Sequence, residues 1–438
     1  MGARRDLKRA RRRSDLSQRV RVDLVREQDV VREARTSALV PPATEGSVAD
    51  IPFTNAAEAP EAVVLRRKED GRWRPVTSAG FAREVTAVAA GLIAVGLPAG
   101  GRVALMSRTR YEWEVLDFAV WAAGGQTVPV YATSSADQIE WILRDADVRF
   151  LVTETDEHTR TARAAAQRLP HPVQSWQIDD GAVAELTRLG EGTEEAAVHA
   201  RRGALGPQTV ATVCYTSGTT GRPKGCVLTH GNLLAEAANT VELLHPVFEA
   251  ATGQTASTLL FLPLAHILGR TLQIACLRAR IELGHCPSIK PDELRPELKS
   301  FRPTFLVGVP YLFEKIHDTG RATAEKIGRG ASFDRADNIA VRYGEASLRR
   351  LLGTGPGPGL PLGLAAALYD LLVYRRVRKE LGGRMRYAIS GGSPLDRRLS
   401  LFFWACGIVV YEGYGLTETT AAASVNHDDA LRIGTVGR

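Results

Sequence analysis

Residues 102–153 read RVALMSRTRYEWEVLDFAVWAAGGQTVPVYATSSADQIEWILRDADVRFLVT, and this stretch decides the fold. Residues 102–107, 126–131 and 149–153 are short apolar runs of strand length. Between them, 111–123 and 135–146 have helical patterning. Successive strand side chains point to opposite faces, so a continuously apolar strand needs cover on both sides. Such strands alternating with helices predict an α/β fold with parallel sheets. The alternation resumes with strands expected at 210–215, 258–262, 281–283 and 304–307, and helices at 232–244, 267–279 and 311–327. A strand at 386–390, a helix at 395–405 and a strand at 408–412 predict one more βαβ unit. The stretch 353–361, GTGPGPGLP, reads as a loop between helical regions. It fails the dinucleotide pattern G-x-G-x-x-G, because Pro358 or Leu360 stands where the third glycine belongs.

The formal charge of +7 is concentrated at the amino terminus. Residues 1–13 hold seven Arg or Lys and one Asp, which is +6 of the +7. The remaining body is near neutral, which argues against a nucleic-acid groove spread over the fold. Residues 1–45 read as a basic arm, with Leu16, Val20 and Leu24 at the spacing of a weak amphipathic helix. The arm is either a solvated extension or a contact for an anionic membrane surface. The five cysteines form no CxxC pair and no zinc spacing, which favours free thiols in a reducing, cytoplasmic setting. No run is long and apolar enough for a membrane span, and the amino terminus has no signal-peptide core.

Three turns carry the chemistry. Residues 215–225, YTSGTTGRPKG, follow the apolar strand ATVCY. Glycines let consecutive N–H groups converge on an anion, Ser217, Thr216, Thr219 and Thr220 add hydroxyls, and Lys224 adds a point charge. The content is that of a phosphate cradle. It is not the P-loop pattern, since Gly225 rather than Ser or Thr follows Lys224. Residues 411–420, YEGYGLTETT, follow the strand CGIVV. Tyr414 between Gly413 and Gly415 offers an open ring face for a base. Glu418 gives a carboxylate suited to Mg²⁺ beside phosphate. The alternative is a strand-to-helix turn with Thr417 as N-cap. Residues 390–395, SGGSPL, place Gly391 and Gly392 after a strand, where backbone can approach a flat ligand. Ligands of open α/β sheets bind at the carboxyl ends of the strands, so the three turns together point to a nucleotide site.

These three motifs resemble those of the adenylate-forming acyl-CoA synthetase superfamily over roughly 45–438. FLPLAHILGR (261–270), VGVPYLFEKI (307–316) and VYRRVRKELGGRMRYAISGG (373–392) resemble its long-chain fatty-acid–CoA ligase branch. The resemblance implies a large domain of parallel βαβ sheets with a smaller β-rich subdomain, in βα subdomains of about 46–205 and 206–438. A carboxy-terminal small domain, with a ribose-binding Asp and a catalytic Lys, would lie beyond Arg438. It also implies ATP, Mg²⁺ and coenzyme A as reactants with a fatty acid. Ser217, Gly218, Thr219, Thr220, Gly221 and Lys224 would hold the phosphates, and Thr216 and Glu418 the metal. Gly391, Gly392, Ser393, Glu412, Gly413, Tyr414, Gly415 and Thr417 would contact AMP. His266 would lie near the carboxylate and α-phosphate, with a structural histidine as the alternative. His230 reads as a helix-start residue. Val307, Gly308, Val309 and Tyr311 would line the acyl tunnel, or else are plain core. Gly269 stands where the branch usually has Glu, which is expected to loosen an ion pair of Arg270.

The expected reaction is adenylation of a long-chain fatty acid followed by transfer to coenzyme A, impaired in a chain of this extent. A fatty acyl-AMP ligase or other carboxylate-adenylating enzyme, and a non-catalytic nucleotide-binding module, are the alternatives. A serine hydrolase is disfavoured, since neither Ser217 nor Ser393 sits in G-x-S-x-G. Location is expected to be cytoplasmic, with the arm's membrane contact at the inner face as a variant. Oligomeric state is not readable.

Overall fold

The computed structural model describes residues 22–216, 221–248 and 255–437. Sixteen strands run through these residues, β1 to β16 in chain order. A six-stranded sheet has the order β10 (Lys224–Thr229), β9 (Val210–Thr216), β6 (Gln126–Val130), β5 (Arg102–Met106), β7 (Phe150–Thr153), β8 (Gln174–Gln177), and an eight-stranded sheet the order β16 (Ala421–Val425), β15 (Val409–Leu416), β14 (Tyr387–Ser390), β13 (Phe305–Gly308), β11 (Ser257–Leu260), β12 (Glu282–His285), β3 (Val63–Glu69), β4 (Arg72–Thr77). The expected units appear at the expected places. Arg102–Met106 (β5), Gln126–Val130 (β6) and Phe150–Thr153 (β7) pair in parallel, with Tyr111–Ala122 and Ala136–Asp145 as the connecting helices.

Two helices lie between the sheets and touch both. In Tyr111–Ala122, only Glu112 is not fully buried. Its Trp121 Nε1 donates to Ala211 O of β9 (Val210–Thr216) at 2.8 Å, and its Glu114 lies 3.1 Å from His285 of β12 (Glu282–His285). Ile267–Arg278 is similarly enclosed, and its Arg270 reaches the six-stranded sheet. Burial on every face explains why neither helix shows a solvated polar stripe, and why their charged residues Glu114, Asp117 and Arg270 are buried against partners. A second, smaller core lies where β5–β7 meet Ala136–Asp145 and Asp156–Ala166, with Met106, Val128, Ile139 and Leu143 packed in it.

The structure corrects four expectations. The sheets do not divide the chain near 205/206. Val63–Glu69 (β3) and Arg72–Thr77 (β4) join the eight-stranded sheet, while β9 and Lys224–Thr229 (β10) join the six-stranded one. Leu24 is not helical: Val22–Glu27 (β1) and Val30–Thr36 (β2) form an exposed antiparallel ribbon. Its two-residue turn has Gln28 and Asp29 both at positive φ, the twist that matches a hairpin. Leu16 and Val20 lie outside the described residues. Thr417 does not cap a helix, since Val409–Leu416 (β15) turns back into Ala421–Val425 (β16) as a hairpin. Gly269 does not leave Arg270 loosely paired. A Cβ there would lie 2.6 Å from Pro263 O, so a side chain has no room. Arg270 finds its partner elsewhere: Asp117 accepts from it at 2.6 and 3.1 Å.

Candidate active site

The phosphate-cradle motif is flanked by two paired strands. β9 and β10 run antiparallel with Thr216 opposite Lys224. Ser217, Gly218, Thr219 and Thr220 lie outside the described residues. Gly221 has φ +106°, a conformation side chains resist. The returning strand is fastened from outside. Trp141 Nε1 donates to Pro223 O at 2.8 Å, and the Arg222 guanidinium stacks 4.7 Å over the Trp141 ring. Gly225 is needed where it stands, because a Cβ would meet Val213 at 2.8 Å and the Tyr215 ring at 3.1 Å. Lys224 is exposed and forms no ion pair among the described residues.

The SGG turn follows Tyr387–Ser390 (β14). Gly391 N donates to Gly308 O at 3.1 Å, across to the end of Phe305–Gly308 (β13). A Cβ on Gly391 would lie 3.6 Å from Gly413 O and 3.7 Å from Leu268. Gly392 has φ +87°, and a Cβ there would lie 3.6 Å from Val309. Ser393 is exposed beside it. This turn therefore meets three segments at once: the start of the 267–278 helix, the exit of β13, and the middle of β15.

β15 pairs in parallel with β14 and antiparallel with β16. Glu412 is buried, and its Oε1 accepts from Leu395 N at 3.0 Å. It thereby ties the third turn to the second rather than facing open space. Tyr414 is 51% exposed, so its ring is free for a partner. Gly415 is forced, because a Cβ would sit 1.6 Å from Ala421 O. At the tip, Thr420 and Ala421 both take positive φ, +64° and +103°. Such conformations persist only when surroundings hold them. Thr271 Oγ1 donates to Thr420 O at 3.3 Å, and Glu236 Oε1 accepts from Ala422 N at 2.9 Å. Glu236 belongs to His230–Leu243, the helix that β10 leads into. Burial lifts its carboxyl to about 7, against the two hydrogen bonds that favour the ion. Thr417 is half-buried, and Glu418 is exposed without an ion pair among the described residues. Burial raises the Cys226 thiol of β10, and Cys214 and Glu418 add to the rise.

His266 caps the 267–278 helix, its Nδ1 accepting from Leu268 N at 3.2 Å. With Nδ1 used as acceptor, the neutral ring carries its proton on Nε2. Solvent reaches the ring, yet the protein packed around it lowers its pKa. His230 is instead wholly buried, edge-on to Trp121, with its pKa pushed down to about 4 by burial and then by Arg270.

Of the four residues expected in the acyl tunnel, Val307 is buried in β13 and a Cβ on Gly308 would press on Leu312 at 2.9 Å. Val309 touches the SGG turn. Tyr311 lines an apolar cavity of about 270 Å³ with Leu298, Leu312, Ile316 and Phe333. The helix Pro310–Lys326 thus leads from the turn to the cavity. Sequence reading misses Glu236, Thr271 and Leu268, which fasten or neighbour the turns. No local pattern marks them, because each acts on a residue far away in the chain. Among the described residues, no three His, Cys, Asp or Glu side chains gather as a metal site. Thr216 and Glu418 offer oxygen donors only, a set that fits Mg²⁺ held chiefly by phosphate.

Known proteins resemble this chain over most of its length. The model of the AMP-binding enzyme family matches residues 53–438. The chain is 41% identical over 395 residues to the long-chain-fatty-acid–CoA ligase FadD15 of Mycobacterium bovis, covering 90% of this chain and 64% of that protein. It is 32% identical to the peroxisomal long chain acyl-CoA synthetase 6 of Arabidopsis thaliana, covering 84% of this chain and 51% of that protein. The chain thus spans between half and two thirds of these relatives. Among solved structures, the inhibitor-bound N-terminal domain of FACL13 from Mycobacterium tuberculosis matches with TM-score 0.64 at 20% identity, over 90% of this chain and 82% of that one. ATP-bound MatB from Rhodopseudomonas palustris matches with TM-score 0.66 at 23% identity, over 90% and 64%. The family model spans every residue of the cradle motif, the double-glycine turn and the tyrosine hairpin, and a match over 53–438 shows that this chain belongs to the AMP-binding enzyme family.

Proposed function

We propose that this chain carries the nucleotide and acyl sites of an ATP-dependent long-chain fatty-acid–CoA ligase. The observation that carries the reading is the junction at Gly391. Within 4 Å of its Cβ direction lie Gly413 of the tyrosine hairpin and Leu268, two residues after His266, while the next glycine touches Val309 on the way to the apolar cavity. Nucleotide-facing and acyl-facing segments therefore share one turn. Identity to FadD15 and to the Arabidopsis synthetase supports a fatty acid as the acid.

In the first step a carboxylate oxygen attacks the α-phosphorus of ATP. A P–O bond forms, the bond to the β-phosphate bridge breaks, and pyrophosphate leaves with the electron pair. In the second step the thiolate of coenzyme A attacks the acyl carbonyl, and AMP leaves with its phosphate oxygen. Lys224 and the N–H groups of the loop neutralise phosphate charge, and the Tyr414 ring stacks on adenine. The Nε2–H of neutral His266 donates to an oxygen of the reacting carboxylate or α-phosphate. Such fixed donors lower the barrier without reorganising when charge shifts. Thr216 and Glu418 would hold Mg²⁺, which supplies charge neutralisation on the phosphates.

The test is ATP–pyrophosphate exchange with fatty, aryl and amino acids, since exchange reports the first step alone. Exchange dependent on a long-chain fatty acid is expected. Exchange with aryl or amino acids only would move the chain to another carboxylate-activating class, and ATP binding without exchange under any acid would leave a nucleotide-binding module.

A further inference from the structure

The helix Leu360–Tyr369 runs through a π-helical turn, Asp370–Tyr374, into Arg375–Glu380. Its leucines face the wrong way for a helix packed on a core. Leu360, Leu364, Leu368, Leu371 and Leu372 are 85, 72, 54, 58 and 40% exposed. At 100° per residue Leu360, Leu364 and Leu368 fall within an arc of about 80°, and Leu371 and Leu372 follow in the π-helical turn. A contiguous apolar stripe in solvent marks a surface that meets something.

The charges at the end of the stripe say what. Arg375, Arg376 and Lys379 follow directly and are exposed. Asp370 is the sole acid from 360 to 379, and Arg378 neutralises it at 2.6 Å. An apolar face that ends in unopposed cations complements a layer that is apolar inside and anionic at its edge. A second copy of this chain would bring the same cations and no anionic counterpart. The stripe is also continuous with the apolar cavity, because Leu372 belongs to both and Val373 and Val377 form part of its wall. Among the described residues no helix is long and apolar enough to cross a membrane, so the geometry is that of a helix lying in the interface.

We propose that this face docks on an anionic lipid bilayer, with the leucines in the acyl boundary and Arg375, Arg376 and Lys379 against phosphate headgroups. Docking is independent of the adenylation reading. One consequence alone rests on that reading: an acyl chain could pass from the leaflet into the cavity past Leu372.

Flotation of the full chain with phosphatidylcholine vesicles, with and without phosphatidylglycerol, tests docking without using turnover. The wild type is expected to float with the phosphatidylglycerol vesicles. The triple variant Leu364→Gln, Leu368→Gln, Leu371→Gln should lose at least about tenfold in partitioning at both low and high salt, since it removes buried apolar contact. The pair Arg375→Glu, Arg376→Glu should lose binding chiefly on anionic vesicles and chiefly at low salt. Thermal melts of the variants, expected to match the wild type because the residues are exposed, separate loss of docking from loss of fold. A wild type that does not float overturns the proposal. So does a leucine variant that floats as well as the wild type, because binding would then belong to residues 1–13. A wild-type dimer that the leucine variant dissolves, with no vesicle binding by either, assigns the face to a second copy and also overturns it.

Discussion

Arg270 and Lys224 are both cations close to the six-stranded sheet, and they live in opposite worlds. Arg270 is wholly buried between the sheets. Asp117 takes two of its hydrogen bonds, Thr212 and Thr127 take two more at 2.6 Å, and Trp113 and Trp121 stack 5.4 and 5.1 Å away. Burial raises the Asp117 carboxyl and the guanidinium opposes the rise. Lys224 stands in solvent on the rim with no such partners among the described residues. The saturated cation holds two sheets together, while the free one keeps its charge available. Satisfaction, rather than charge, is what separates framework from site in this molecule.

The comparison breaks most easily at Arg270. Arg270→Ala leaves Asp117 buried without a counter-charge and should cost about 3–5 kcal/mol, read as a fall in unfolding midpoint. If instead Lys224→Ala destabilised the protein as much, the contrast would be false. Lys224→Ala is expected to leave the melting curve within about 0.5 kcal/mol of wild type. It should lower ATP–pyrophosphate exchange by about 100-fold, the typical loss for one donor aimed at developing charge.

Arg270 also shows where sequence reading stops. Its local neighbour, Gly269, suggests a missing partner, but the real partner lies 153 positions away on a helix. Only packing brings it close. The βαβ units were legible because their signals are local: an apolar run, then a helix-period segment. The same is true of the three turns, whose glycines and hydroxyls stand together in the chain. What escaped was their setting. Lys224–Thr229 is a half-exposed return strand with no continuous apolar run, so nothing local announces that it pairs back on β9. The β3–β4 hairpin turns at Asp70-Gly71, both at positive φ, a readable signal. Its docking on β12, Leu283 opposite Leu65, is a long-range fact that no local pattern holds.

Glu236 sharpens the comparison, because it sits between the two worlds. It is half-buried and holds the tip of the tyrosine hairpin through Ala422. Its carboxyl titrates near 7 in the fold, above the ordinary value of 4.5. The folded state therefore keeps a proton that the unfolded chain gives up. Stability from this group is complete below the unfolded value, falls as pH rises from about 4.5 to about 7, and stays level above. Glu236→Gln cannot titrate and keeps an oxygen acceptor for Ala422. Relative to wild type, it should gain about 2 kcal/mol between pH 4 and pH 8, allowing for solvent screening of a partly exposed group. Denaturant unfolding across that range measures it, and parallel curves for the two proteins would show that folding does not shift the Glu236 carboxyl.

The smallest expected effect tests how the free cation is aimed. Lys224 is the first residue of β10, and its neighbour Pro223 is fixed by the Trp141 indole at 2.8 Å, with Arg222 laid on the same ring. Trp141→Phe keeps an aromatic face for Arg222 and removes only the N–H. One neutral hydrogen bond at a partly exposed carbonyl contributes about 1 kcal/mol, so the melting curve should move little. If the indole sets the position of Lys224, the loss should appear on the nucleotide side. The KM for ATP in exchange should rise about three- to fivefold while fatty-acid KM stays level, because the acyl segment hangs from Val309 and not from this hairpin. An equal rise in both would mean that Trp141 supports the whole rim, and the division between aimed charge and framework would have to be drawn elsewhere.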